Sequence, residues 1–192
     1  MTLRTHSRTL AGIAALTCAL AVGCTNSSTT YADGSRSTLY DSVQQLSRDS
    51  AAAVVATVAD QQVVGKDSET TTLSTIKVAE VTRDGFGTNL PSGQAGFPQG
   101  TPVVVVRQLG GPDIQGPAPM LEVGRSYLLF LTPTMLPGED GAQFYITGGS
   151  AGYYAAPQGA ALDAKASFTK VGDEGDRLPG QITLAQAASS SL

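Results

Sequence analysis

The sequence predicts a mainly β domain, a closed barrel or a sandwich, with one short helix ahead of its strands. Three observations lead there. Short β-branched or aromatic runs recur between residues 52 and 171, and stretches dense in Gly and Pro separate them. Only one segment, 38–49, carries its apolar residues at helical spacing.

In that segment Leu39, Val43 and Leu46 stand at i, i+4 and i+7, with Ser37 or Thr38 placed to cap the first turn and Asp41 inside it. An amphipathic helix is expected. Residues 52–59 (AAVVATVA) read as the first strand and 70–82 (TTTLSTIKVAEVT) as the second, with 60–69 as the loop between them. In the second strand Ile76, Val78 and Glu80 alternate with Thr75, Lys77, Ala79 and Val81. Residues 83–101 are too rich in Gly and Pro to be regular, and are expected to form a long exposed loop.

The run 103–108 (VVVVRQ) suits a strand covered on both faces. Gly and Pro punctuate 109–119, and 121–124 make a turn into 127–131 (YLLFL), a second strongly buried strand. Residues 132–142 hold Pro133, Pro137 and the pair Asp140 and Gly141, so 127–131 and 143–147 (QFYIT) read as an antiparallel hairpin. Tyr153, Tyr154 and residues 166–171 supply one or two further short strands, and 178–192 hold a helical turn or two before a Ser-rich end.

The front of the chain reads differently. Arg4, His6 and Arg8 precede an apolar run, 10–20, that is shorter than the roughly 20 residues a membrane-spanning helix needs. Ala21, Val22, Gly23 and Cys24 then form a lipobox, with Ala at the position where Leu is the more usual choice. The expected organisation is a lipoprotein signal peptide over 1–23, a flexible tether over 24–36, a barrel domain over 37–178 and a tail over 179–192. As a random coil, the polar stretch 25–36 spans on the order of 20 Å. The Asn-Ser-Ser at residue 26 matches a glycosylation pattern but reads as solvated linker.

Removing 1–23 takes away the single histidine, Cys18 and two cations. Ten basic side chains (the twelve less Arg4 and Arg8) then face sixteen acidic ones, a net charge of −6. That balance argues against a nucleic-acid partner, whose phosphates need Lys and Arg. With Cys24 as the one remaining cysteine no internal disulfide can form, so a hydrophobic core must hold the fold.

The segments AAAVVATVAD, TTTLSTIKVAEVTRDG, TPVVVVRQLGG, LEVGRSYLLFLTP and QFYITGGSAGYY resemble the small OB-fold lipoproteins of high-GC bacteria. In strand plan these are similar to the inhibitory domain of the tissue inhibitors of metalloproteinases. The resemblance covers about 38–155. It implies a small closed OB-fold-like barrel preceded by one short amphipathic helix, with a disordered signal and tether before it. It also implies a ligand face on barrel strands two and three, flanked by the loops after strands one and four. On this sequence that surface takes in Lys66, Lys77, Arg83, Arg107, Glu139 and Asp140. Neither 70–82 nor 103–108 carries the stacking aromatics of a nucleic-acid site.

Catalytic patterns are present only formally. Residues 148–152 match G-x-S-x-G, which requires a strand-to-helix elbow and a histidine base, and the mature chain has no histidine. Ser74 with Lys77, and Ser167 with Lys170, match S-x-x-K but fall in expected strands, where i and i+3 point to opposite faces. Asp173, Glu174 and Asp176 lack the spacing of a calcium loop. No cofactor or metal is expected. The aromatics Tyr127, Phe130, Phe144, Tyr145, Tyr153 and Tyr154 are candidates to line a ligand pocket, but inside YLLFL and QFYIT such residues read first as core and cross-strand pairs.

The reading that follows is a lipid-anchored, non-enzymatic binding module at the outer side of a bacterial cell membrane. Cys24 would carry the lipid, and an envelope protein or glycan would be the partner. A proteinase-inhibitor-like module is the alternative, although acylation of Cys24 would mask the free amine that such inhibitors use. A carboxylate-dependent hydrolase stands third.

Overall fold

The computed structural model of the chain describes residues 30–31, 38–84, 97, 100, 103–159, 162–163, 165–172 and 175–189. The expected signal peptide, Cys24 and most of the tether lie outside these, as does most of the loop expected over 83–101. In chain order the regular elements are β1 (Thr30–Tyr31), α1 (Val43–Arg48), β2 (Ala52–Val64), β3 (Thr71–Asp84), β4 (Val103–Leu109) and β5 (Ile114–Gln115). There follow β6 (Ser126–Pro133), β7 (Phe144–Ile146), β8 (Tyr153–Ala155), β9 (Ser167–Lys170), β10 (Gln181–Thr183) and α2 (Leu184–Ser189).

Five strands close on themselves. β2 pairs antiparallel with both β3 and β6, β3 with β4, β4 runs parallel to β7, and β7 returns antiparallel to β6. The result is the expected small OB-fold-like barrel, and the hairpin read from YLLFL and QFYIT is its closing step, Leu131 facing Ile146 and Pro133 facing Phe144. β8, β9 and β10 extend the sheet outward from the other part of the same β6 edge.

β2, β6 and β8 consequently form a wall shared by two cores. Their alternate residues Ala52, Val54, Ala56, Val58, Tyr127, Leu129, Leu131, Tyr153 and Ala155 fill the barrel, joined by Ile76, Val106 and Phe97. Phe97 reaches in from the β3–β4 connection and sets its ring 5.4 Å from that of Phe144. The intervening residues Ala53, Val55, Leu128, Phe130 and Tyr154 face outward into a second core with Leu46, Phe168, Ile182, Leu184 and Ala187. The near-continuous apolar sequences of β2 and β6 thus have a physical cause, since both faces are dry. β10 and α2 occupy the region read as a tail, and they are part of this second core.

Three expectations need correction. The helix is shorter than 38–49 and starts after Ser42, whose hydroxyl accepts from the Gln45 N–H. Tyr40 cannot join it, because its N–H donates to an Asp176 carboxylate oxygen at 2.8 Å and its carbonyl accepts from the Arg177 N–H. Leu39 is exposed and so leaves the expected stripe, while Leu46 is fully buried and Val43 packs against the same core. Second, β2 continues past residue 59 to Val64, so the loop to β3 contracts to a turn around Gly65, which adopts φ +81°. Third, β4 is covered on one face only: Val104 and Val106 are buried while Val103 is exposed.

Asp176 ties the C-terminal part to the segment before α1. Its side chain is fully buried, and its second oxygen lies 3.9 Å from the Lys170 ammonium. Replacing it with Asn removes the charge while keeping the shape, and is expected to lower stability by about 2 kcal/mol, the scale of a hydrogen bond to a charged group, in urea denaturation.

Two buried tyrosines add a pH dependence. Burial raises the phenol of Tyr153, with Tyr127 adding to it, and burial raises that of Tyr154, with Asp176 adding to it. A phenol raised in the folded state stabilises fully below its unfolded value of about 10 and ceases to do so as pH climbs beyond it. Denaturation midpoints are expected to hold through neutral pH and fall above about pH 10, and Tyr154→Phe should blunt that fall.

Candidate functional site

The outer face of β3 and β4 corresponds to the ligand face of OB-type barrels. On it Leu73 stands opposite Arg107, Thr75 opposite Val105 and Lys77 opposite Val103. β7 extends this face, with Tyr145 beside Arg107 and Phe144 turned inward beside Val106.

At the Arg107 end of the face lies a largely apolar pocket of about 200 Å³. β4 contributes Arg107, Gln108 and Leu109, β7 contributes Tyr145 and Ile146, and Gly149 adds to the floor. The remaining wall is Pro117, Ala118 and Met120, from the segment after β5.

Side chains from the barrel hold that wall by its backbone. Gln108 donates to the Pro119 carbonyl at 3.0 Å and accepts from the Leu121 N–H at 3.0 Å. Gln61 donates to the Leu121 carbonyl at 2.7 Å and to Ser74, and the Tyr153 hydroxyl donates to the Met120 carbonyl at 3.1 Å. The Tyr127 hydroxyl accepts from the Glu122 N–H. At its start, the same segment turns so tightly that a Cβ on Gly116 would lie 1.9 Å from the Leu109 carbonyl oxygen, so only glycine fits. The wall is therefore preorganised.

Arg107 borders the pocket in a fixed pose. Its Nη1 donates to Gln143 Oε1 at 2.9 Å and lies 3.4 Å from Asp140 Oδ1, while Gln143 Nε2 donates to that same carboxylate oxygen at 2.8 Å. A 3₁₀ turn, Gly138–Ala142, sets Asp140 beside Gln143. Because the Asp140 side chain is 49% exposed, water screens the ion pair and its worth is below about 1 kcal/mol. Its effect is to aim the guanidinium. Asp140→Asn is expected to change the urea midpoint little.

Of the predicted surface residues, the structure brings Arg107 and Asp140 into contact and places exposed Glu139 in the same turn. Lys66 is exposed at the tip of the β2–β3 hairpin, near the Leu109 end of β4. Lys77 shares the outer face but stands four positions from Leu73, about 13 Å along the strand. Arg83 lies ten positions from Leu73 and pairs with Ala53, away from the pocket. Cys24 lies outside the described residues.

Gln143, Ala118 and Met120 carry no signal in the sequence. Tyr145, one of the aromatics that offer either a pocket lining or core, is 36% exposed and lines the pocket. Strict alternation in QFYIT, with Phe144 and Ile146 inward, is the signal that separates it.

The formal catalytic matches dissolve in three dimensions. Ser150 sits in the 3₁₀ turn Gly149–Gly152, fully buried, and its hydroxyl has no hydrogen-bond partner. Ser74 and Lys77 lie in β3, Ser167 and Lys170 in β9. Among the described residues no three His, Cys, Asp or Glu side chains gather as metal ligands, and no helix is long and apolar enough to cross a membrane. No protein-family model and no curated protein matches the chain.

Proposed function

We propose that the chain is an exported binding module of the bacterial cell envelope, held at the membrane by a lipid on Cys24 and acting without catalysis of its own. The observation that carries this reading is the preformed apolar pocket of about 200 Å³ beside the aimed Arg107, on the face that OB-type barrels use for ligands. The lipobox and the polar stretch after it support the anchoring half, and the resemblance to small OB-fold lipoproteins agrees with both. Chemical crosslinking of the full chain in its native cells, followed by identification of the adducts, tests it. One dominant adduct is expected, reduced severalfold when the turn carrying Glu139 and Asp140 is replaced by a Gly-Ser loop. Adducts matching those of an unrelated lipoprotein would overturn the reading.

A further inference from the structure

The pocket lining narrows what it can hold. Leu109, Pro117, Ala118, Met120, Tyr145 and Ile146 present aliphatic and aromatic surface. A peptide laid against it would bring backbone donors and acceptors to a place with few partners for them, at a cost of roughly 1–3 kcal/mol for each one left unpaired. A hydrocarbon chain brings none. At about 200 Å³ the pocket is smaller than the roughly 300–1,000 Å³ of sites for drug-sized molecules, which suits part of a chain.

The one cation at the rim adds a preference. Among the described contacts of Arg107, both the hydrogen bond to Gln143 and the approach to Asp140 use Nη1. A guanidinium has five N–H donors in a fixed fork, so Nη2 and Nε remain to meet an anionic headgroup.

The chain's own route supplies the source. β1 pairs in parallel with β5, Thr30 with Ile114 and Tyr31 with Gln115. Gln115 is two residues before Pro117 of the pocket wall, and Cys24 is six residues before Thr30. Fully extended, those six residues span at most about 20 Å. A lipid on Cys24 would hold the pocket wall close to the outer leaflet.

We infer that this pocket receives an acyl chain of an anionic membrane amphiphile, with Arg107 facing the headgroup. The inference rests on the anchored reading above, and the test separates the two. The full chain carrying Cys24→Ala, so that no lipid of its own competes, is titrated with a fluorescent medium-chain fatty acid. Saturable one-to-one binding is expected. Ala118→Trp, which fills the pocket, should abolish it, and Leu109→Trp should do the same from the strand side; Arg107→Gln should weaken it severalfold, with the loss shrinking at high salt. Circular dichroism and thermal unfolding identify any variant that fails to fold, and the folded ones decide. No saturable binding, or binding untouched by the folded filling variants, would overturn the inference. So would a site that takes an apolar acidic peptide and refuses the fatty acid. If fatty-acid binding persists but Cys24 in the unsubstituted chain takes no lipid in cells, the anchoring falls and the pocket assignment stands.

Discussion

Phe130→Ala is expected to lower stability by about 4 kcal/mol, the usual scale for deleting a buried phenylalanine ring. Phe130 points out of the barrel, yet it is fully buried, and its ring lies 6.4 Å from that of Tyr154 at a steep angle. Around it pack Leu46 from α1, Phe168 from β9, Ile182 from β10 and Leu184 from α2. Domains of this size have about 5–15 kcal/mol of stability in total, so the change takes a large share of it. Urea denaturation of the purified chain measures the effect. A loss near 1 kcal/mol would mean that the outer core is loose and the C-terminal elements are only loosely attached.

Cys24→Ala is expected to abolish lipidation and to remove most membrane retention. No helix among the described residues is long and apolar enough to cross a membrane, and under the anchored reading acyl chains on Cys24 supply the main attachment. Each buried methylene contributes about 0.8 kcal/mol, and stable anchoring takes more than one chain. Metabolic labelling with a fatty-acid analogue should mark the unsubstituted protein and leave the Ala variant blank, with most of the variant found in the soluble fraction. Label retained on the Ala variant would remove Cys24 from its assigned role.

Local pattern carried most of the strand assignments. The runs at 52–59, 103–108 and 127–131 lie within strands, 70–82 all but its first residue does, and 143–147 holds the short strand Phe144–Ile146; the apolar continuity of YLLFL matches burial on both faces. Four consecutive valines in β4 looked equally continuous, but they pack on one side only, because a β-branched side chain fits a pleated surface whether or not the outer face is covered. Where β2 runs on through Asp60, Gln61 and Gln62, polar residues hid a strand that has one neighbour and little cover. The sequence reading likewise placed the helix start too early, since the contacts that keep Tyr40 extended come from Asp176 and Arg177, 136 and 137 positions away.

The site was legible by halves. Mapping a barrel ligand face onto the sequence selected Arg107 and Asp140, which do meet. It could not select the pocket wall. Residues 117–120 are Pro- and Ala-rich punctuation in sequence and become a wall only because the side chains of Gln61, Gln108 and Tyr153 hydrogen-bond to their backbone or to that of Leu121 next to them. Such long-range hooks leave no periodic trace. Arg83 and Lys77 share a strand and a charge, and distance along β3 separates them from the pocket.

The central claim is that ligand meets this protein at the pocket end of the outer face. A photo-crosslinking residue in place of Tyr145, in the full chain in its native cells, tests it most directly, with the same residue in place of exposed Glu80, which pairs with Val55 near the far end of β3, as the control. The account predicts a discrete adduct, of lipid or of protein mass, from position 145 and none from position 80. Equal adducts from both positions, or adducts from 80 alone, would contradict it.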